Sequence, residues 1–254
     1  RIRHQKSEAQ EDNSALSNID ILVDEYNKDG KNTDPRTIAY LGRNFLGVGE
    51  YDKAQFFLVK HIQSSGWDED RYMSRLQLAE CHLHKQEIEE AKLCCMEAIM
   101  ELPENPDAYL KLHDIYFELS DWKKAIYWGT IGMSKNPPED SVMLYDPSSL
   151  TWRPAITMAY SYFQTNEYEK AWSLFQYAQK LAPSVDFIVH NEAMFREAVE
   201  HKNFAEKFLY LANYIKEKAP EKIKELFGCL PKDMEDNVYI QRARNKMMPP
   251  KVWD

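Results

Sequence analysis

Asp34–Ile62 reads DPRTIAYLGRNFLGVGEYDKAQFFLVKHI, and its layout returns three more times: RYMSRLQLAECHLHKQEIEEAKLCCMEAIMELP at Arg71–Pro103, PDAYLKLHDIYFELSDWKKAIYWGTIGMSKNP at Pro106–Pro137, and WRPAITMAYSYFQTNEYEKAWSLFQYAQKLAP at Trp152–Pro183. Each copy carries apolar residues at three- and four-residue spacing, a short polar break, and a second such run, which predicts a helix, a turn and a helix. The register is set by an alanine three residues after a large side chain: Tyr51 and Ala54, Ile88 and Ala91, Trp122 and Ala125, Tyr168 and Ala171. Those alanines are 37, 34 and 46 residues apart. In the same register Gly42, Ala79 and Ala159 put a small residue mid-way along the first helix, and His113 is the exception. Small side chains there allow close helix approach. Leu41, Leu78, Leu112 and Met158 precede those positions, Phe45, Tyr116 and Tyr162 follow by three, and Pro103, Pro137 and Pro183 close the second helices.

The pattern resembles the tetratricopeptide repeat, whose period is about 34 residues. The resemblance implies an all-α chain, a right-handed α-solenoid of helix-turn-helix repeats with capping helices. The expected organisation is a linker and helix over 1–33, repeats over 34–219, and a capping helix with linker over 220–254. Within the array the units fall at about 34–67, 71–104, 105–138, 151–184 and a degenerate 185–219. Val185–Glu200 and Asn203–Lys218 read as the two helices of that last unit. Asn18–Tyr26 reads as a helix ahead of the array, stopped by NKDGKNTD. The longest spacing exceeds the period by the stretch EDSVMLYDPSSL, 139–150, which reads as a loop over one face where a ligand can be met.

With 32 Lys and Arg against 41 Asp and Glu, the net charge of −9 repels phosphate backbones, which argues against nucleic acid as partner. No run approaches the length needed to cross a bilayer, so no membrane span is expected. The 44% hydrophobic content suffices for a packed core. Cys81, Cys94, Cys95 and Cys229 are too few and irregular for a disulfide framework, and a reducing, cytoplasmic setting is expected. His82 and His84, two apart on a helix, point about 200° from each other and cannot share one metal ion. No phosphate loop, nucleophile elbow or paired-histidine motif stands in the sequence, so neither a cofactor, a metal nor a catalytic residue is assigned.

A second resemblance concerns the flanks. Asp34-Pro35-Arg36 running into Tyr40-Leu41-Gly42 is similar to the opening of helical repeats in bacterial and phage multidomain glycosyltransferases of the family-2 kind. That resemblance would map His4 to the end of a preceding catalytic domain and Trp253-Asp254 to the approach of a following one. It implies a non-catalytic scaffold that positions catalytic domains or acceptor. The Asp-x-Asp motif of that catalytic domain has no counterpart, Asp68-Glu69-Asp70 standing in an inter-repeat segment. The alternative is a stand-alone adaptor that binds a peptide or partner helix. In either case the partner is a protein, a peptide or flanking domains of the same chain, and a homodimer is a further expectation.

The first helices should line the concave face. Arg36 and Arg43 from the first unit, Glu80 and His84 from the second, Asp114 and Phe117 from the third, and Tyr160 and Phe163 from the fourth are the expected groove residues. A clamp for a terminal carboxylate needs Lys and Asn where Ala39 and Arg43 stand, which disfavours that ligand.

Overall fold

The computed structural model describes residues 8–139, 141 and 146–248, with side chains described from residue 18 onward apart from residue 31. His4, Trp253 and Asp254 lie outside the described residues, as do Asp140 and Val142–Tyr145 of the insertion. All regular structure among the described residues is helical. Two compact units divide the chain, 1–157 and 158–254.

The first unit begins with α1, Glu8–Asp29, and then forms three helical hairpins: α2 (Pro35–Gly47) with α3 (Tyr51–Ser64), α4 (Asp68–His84) with α5 (Ile88–Glu101), and α6 (Asp107–Glu118) with α7 (Trp122–Met133). Asp34 caps α2, its carboxylate accepting from the Arg36 N–H at 2.8 Å, and Pro35 stands at the first helical position. Asp121 caps α7 in the same way through the Lys124 N–H. The short helix α8 (Pro147–Leu150) follows, capped by Asp146, and α9 (Trp152–Gln164) runs on into the second unit. There α10 (Tyr168–Leu181) precedes α11 (Asp186–Lys218), α12 (Ile223–Gly228) and α13 (Val238–Met247).

The turn between paired helices is built the same way in every hairpin. Gly49, Gln86, Ser120 and Asn166 all take positive φ, between 56° and 77°. At each, the next residue's N–H reaches back five residues to a helix carbonyl, as from Glu50 to Phe45 and from Glu87 to His82. This is the left-handed helix stop of the Schellman kind, which glycine accepts without cost and L-residues do not. Replacing Gln86, itself exposed, by glycine is therefore expected to raise stability by about 0.5–1 kcal/mol in urea unfolding. A midpoint unchanged or lowered would contradict that account of the turn.

Packing depends on the small positions. A Cβ on Gly42 would stand 2.8 Å from Cγ of the fully buried Leu58. One on Gly132 would stand 2.6 Å from Cδ2 of Leu110. Ala54, Ala79, Ala91, Ala98, Ala125, Ala159, Ala171 and Ala178 are fully buried. Two small positions instead hold histidine, and both rings are buried. His113 occupies the place of Gly42, Ala79 and Ala159, where its Nδ1–H donates to the Ala125 carbonyl at 2.7 Å and its Nε2 meets the Thr157 hydroxyl at 2.6 Å. His61, seven residues after Ala54, stands where the other hairpins have Ala98, Gly132 and Ala178, and its Nδ1 is 2.7 Å from the Ser74 hydroxyl. Burial lowers the pKa of both rings, against an opposing contribution from the Asp70 charge at His61 and from the Ala125 carbonyl bond at His113.

Two expectations meet a different structure. The predicted break near residues 200–203 is not formed: α11 is one continuous helix of 33 residues. The intervening Glu200-His201-Lys202 contains no glycine or proline to stop a helix, so the last unit is not a hairpin. Its amino-terminal half packs Phe195 among Phe163 and Phe175. Its carboxy-terminal half, through Ala205, Phe208 and Ala212, packs on Ile223, Phe227, Met234 and Ile240. The helix ahead of the array is also longer than the predicted Asn18–Tyr26, since the polar stretch before Asn18 is helical and α1 runs to Asp29, followed by a 3-10 turn over Gly30–Asn32.

Candidate functional site

The face built by the first helices of the hairpins in the first unit presents two clefts. One, of about 330 Å³, is lined by Met73, Leu76, Gln77 and Glu80 from α4 and by Asp107, Leu110, Lys111 and Asp114 from α6. The other, of about 380 Å³, is lined by Leu110 and Asp114 with Trp152, Arg153, Ile156 and Thr157 of α9. Leu110, Asp114 and Ser149 line both, so the clefts form one groove with Asp114 where they meet. Ser149 belongs to the insertion, whose described part therefore reaches the groove. The helical period explains the lining: Asp107, Leu110 and Asp114 lie at steps of three and four on one face of α6, as do Met73, Leu76 and Glu80 on α4.

The groove has an apolar floor and uneven charge. Glu80 and Lys111 approach at 3.5 Å, and Arg153 faces Asp146 at 3.5 Å while lying over the Trp152 ring. Asp107 and Asp114 have no Lys or Arg in direct contact, and the Lys111 charge reaches both only at longer range. Oδ2 of Asp107 is buried without a hydrogen-bond partner, and burial holds its pKa above the ordinary carboxylate value. Asp114 exposes 67% of its side chain to the groove, and its carboxylate comes only within 3.9 Å of the buried, neutral His113 ring. Confinement between the groove walls pushes the Asp114 pKa up to about 6, with Lys111 acting against that rise and Glu118 with it.

Of the expected groove residues, Glu80 and Asp114 line these clefts. Arg36 and Arg43 are exposed on α2 and line neither. His84 stacks on Tyr51 with ring centroids 4.7 Å apart, which uses its face within the hairpins. Phe117 packs edge-on against Trp122 at 5.6 Å, bracing the α6–α7 turn. Phe163 meets Tyr168 and Phe195, both at 5.4 Å, and is part of the aromatic core of the second unit. Tyr160 is half-buried in that unit. Phe117 and Phe163 share one repeat position, eight residues ahead of Ala125 and Ala171, and each packs on the first residue of its hairpin's second helix. Ser149, Trp152, Gln77 and Lys111 do not stand out in the sequence. Gln77 and Lys111 share one repeat position, each one residue before the leucine that precedes the small slot, and that phase is the signal that could find them.

Other chemistry is already engaged. The thiols of Cys81 and Cys94 are pushed by burial to about 11 and that of Cys95 to about 12, so all three are protonated core residues at neutral pH. His82 bonds Glu87 at 2.7 Å. No group of described residues could hold a metal ion. No described helix is long and apolar enough to cross a membrane. The second unit has its own cleft of about 500 Å³, bordered by Tyr168, His201, Lys202 and Tyr239, in which Lys202 is held by Glu169 at 2.8 Å and His201 by Asp233 at 3.5 Å.

No protein-family model matches the chain, and no curated protein matches its sequence. Solved structures do match. The C-terminal part of a TPR repeat-containing protein from Cytophaga hutchinsonii aligns with a TM-score of 0.59 at 13% identity, over 90% of this chain and 96% of that one. A tetratricopeptide repeat protein from Parabacteroides merdae aligns with 0.56 at 16% identity, over 93% of each chain. MamA aligns with 0.53 at 17% identity, over 69% of this chain and 95% of that one. The glycosyltransferase resemblance has no counterpart among these matches. The recurring small positions, the shared turn geometry and these alignments together establish that the chain has the all-helical fold of tetratricopeptide repeat proteins.

Proposed function

We propose that the protein is a non-catalytic interaction scaffold whose groove, between α4, α6 and α9, holds an extended segment of a protein partner. The observation that carries this reading is the meeting of two clefts at Leu110, Asp114 and Ser149, which gives a continuous channel rather than an isolated pocket. Its walls combine apolar side chains that exclude water with a few charged groups that fix register, as peptide grooves do.

A random twelve-residue peptide library displayed on phage and selected on the protein tests this. Selected peptides are expected to compete with one another and to lose at least about ten-fold in affinity on Ser149→Trp, which fills the junction from the short helix α8, outside the hairpins. Peptides that bind Ser149→Trp as well as they bind the parent protein sit elsewhere, and the reading then fails.

The setting inside a multidomain glycosyltransferase is a second proposal. It is supported by Arg36 and Tyr40, exposed members of the shared motif with no structural task in α2. Reading the gene on either side of this sequence tests it: a nucleotide-sugar domain with an Asp-x-Asp motif is expected, and flanks without one would overturn it.

A further inference from the structure

We propose that the partner segment is basic at its centre: a Lys or Arg side chain seats on Asp114, with large apolar residues on either side entering the two clefts. This rests on the groove reading above and adds the chemistry of the occupant. Charge complementarity decides between occupants. Each cation on the groove wall already contacts a carboxylate, Lys111 with Glu80 and Arg153 with Asp146, so Asp107 and Asp114 share only the more distant Lys111 charge along one face of α6, where carboxylates outnumber cations. The two carboxylates lie seven residues, or about 10 Å, apart on that helix. Asp114 is the more accessible and stands at the junction, with Leu76 and Met73 on one side and Trp152 and Ile156 on the other. An acidic segment would bring a third negative charge to this place, and a wholly apolar one would strip water from Asp114 without replacing it. An incoming ammonium or guanidinium supplies the missing cation while its methylene stem lies on Leu110.

Burial is the main cause of the elevated Asp114 pKa, and the neighbouring Glu118 charge adds to it while Lys111 opposes it. The surface is distinct from a carboxylate clamp, which presents cations to the ligand.

The test uses three synthetic nonapeptide libraries, acetylated and amidated at their ends, in which four random positions flank a central Lys, Glu or norleucine on each side. On the immobilised full chain, the Lys library is expected to be retained about ten-fold over the Glu and norleucine libraries. Asp114→Asn should bring the three within about two-fold while the apolar preferences at the flanking positions persist, and Asp114→Lys should favour Glu. Asp114 is exposed, so both variants are expected to fold, and circular dichroism checks that they do. Equal retention of Lys and Glu by the parent chain, or a Lys preference that survives Asp114→Asn, would overturn the basic-centre inference and leave the groove reading standing. Retention of none of the libraries would overturn both.

Discussion

Replacing Phe195 by alanine is expected to cost about 3–5 kcal/mol, a large fraction of the net stability of an ordinary domain. Phe195 is 1% exposed on α11. Its ring stacks on Phe175 of α10 at 4.5 Å and meets the edge of Phe163 of α9 at 5.4 Å, so one truncation removes the contact that three helices share. Alanine leaves a cavity lined by two aromatic rings fixed by their own neighbours, Trp172 against Phe175 and Tyr168 against Phe163, and such a site collapses poorly. In arrays of repeats each element depends on its nearest neighbours. Hydrogen exchange should therefore show amides of α10 and α11 losing protection first, with a drop in the guanidinium midpoint. A variant whose α10 and α11 amides exchange at the parent rate would remove Phe195 from its place at the centre of this core.

The second large effect is a loss of stability in mild acid. His61 and His113 have folded pKa values below the ordinary 6.5, because burial penalises the charged ring. The unfolded chain therefore takes up protons first as pH falls. Stability is full above about pH 6.5 and is lost as pH falls from there towards the lowered folded values, by up to about 2.7 kcal/mol per pH unit for the two rings together. Protonating His113 also destroys its acceptor for the Thr157 hydroxyl. Asp107 and Asp114 act in the opposite sense, since raised pKa values return stability as pH falls through them towards the ordinary carboxylate range, for Asp114 from about 6 downward. Asp114 keeps 67% of its side chain exposed at the groove wall, so solvent screening makes its share small. Urea unfolding at pH 7 and at pH 5 should show the parent losing far more than a His61→Ala, His113→Ala double variant, which restores the residue type used at the equivalent positions. Parallel pH dependence in the two proteins would show that these rings do not control acid stability.

Much of the fold is legible in the sequence because its recurring elements are local. The alanine register, the mid-helix small residues and the closing prolines each follow from how two helices must meet. The motif Asp34-Pro35-Arg36 with Leu41-Gly42 has a local explanation as well: a capping carboxylate, a proline at the first helical position, a buried leucine, and a glycine against Leu58. Helix start and packing thus account for Asp34, Pro35, Leu41 and Gly42, and leave the exposed side chains of Arg36 and Tyr40 as the part of the motif that packing does not require. The turns are harder to see, because three of the four left-handed positions are Gln86, Ser120 and Asn166 rather than glycine. The continuity of α11 is hidden by a repeat pattern that continues through residues 185–218 while nothing interrupts the backbone. In the groove, periodicity identifies Glu80 and Asp114. The contribution of Ser149 comes from an insertion outside the period, and no spacing rule reaches it.

The two buried histidines also bear on how an array of similar parts assembles in the right order. Chains built from near-copies risk stacking the wrong neighbours during folding. Ala79 and Ala98 would fit beside almost any hairpin, but His61 needs a hydroxyl opposite it, and at the place of Ser74 the later units offer Ala108 and Pro154. His113 likewise finds Thr157 only in the unit that follows it, the equivalent residues being Tyr40, Gln77 and Lys111. Each ring is matched to one neighbour: a mis-stacked hairpin would cost His113 its Thr157 bond and would leave His61, whose Nε2 is buried without a partner, with neither ring nitrogen bonded. Polarity placed where a methyl group would suffice thus encodes the sequence of assembly in the core of the protein itself.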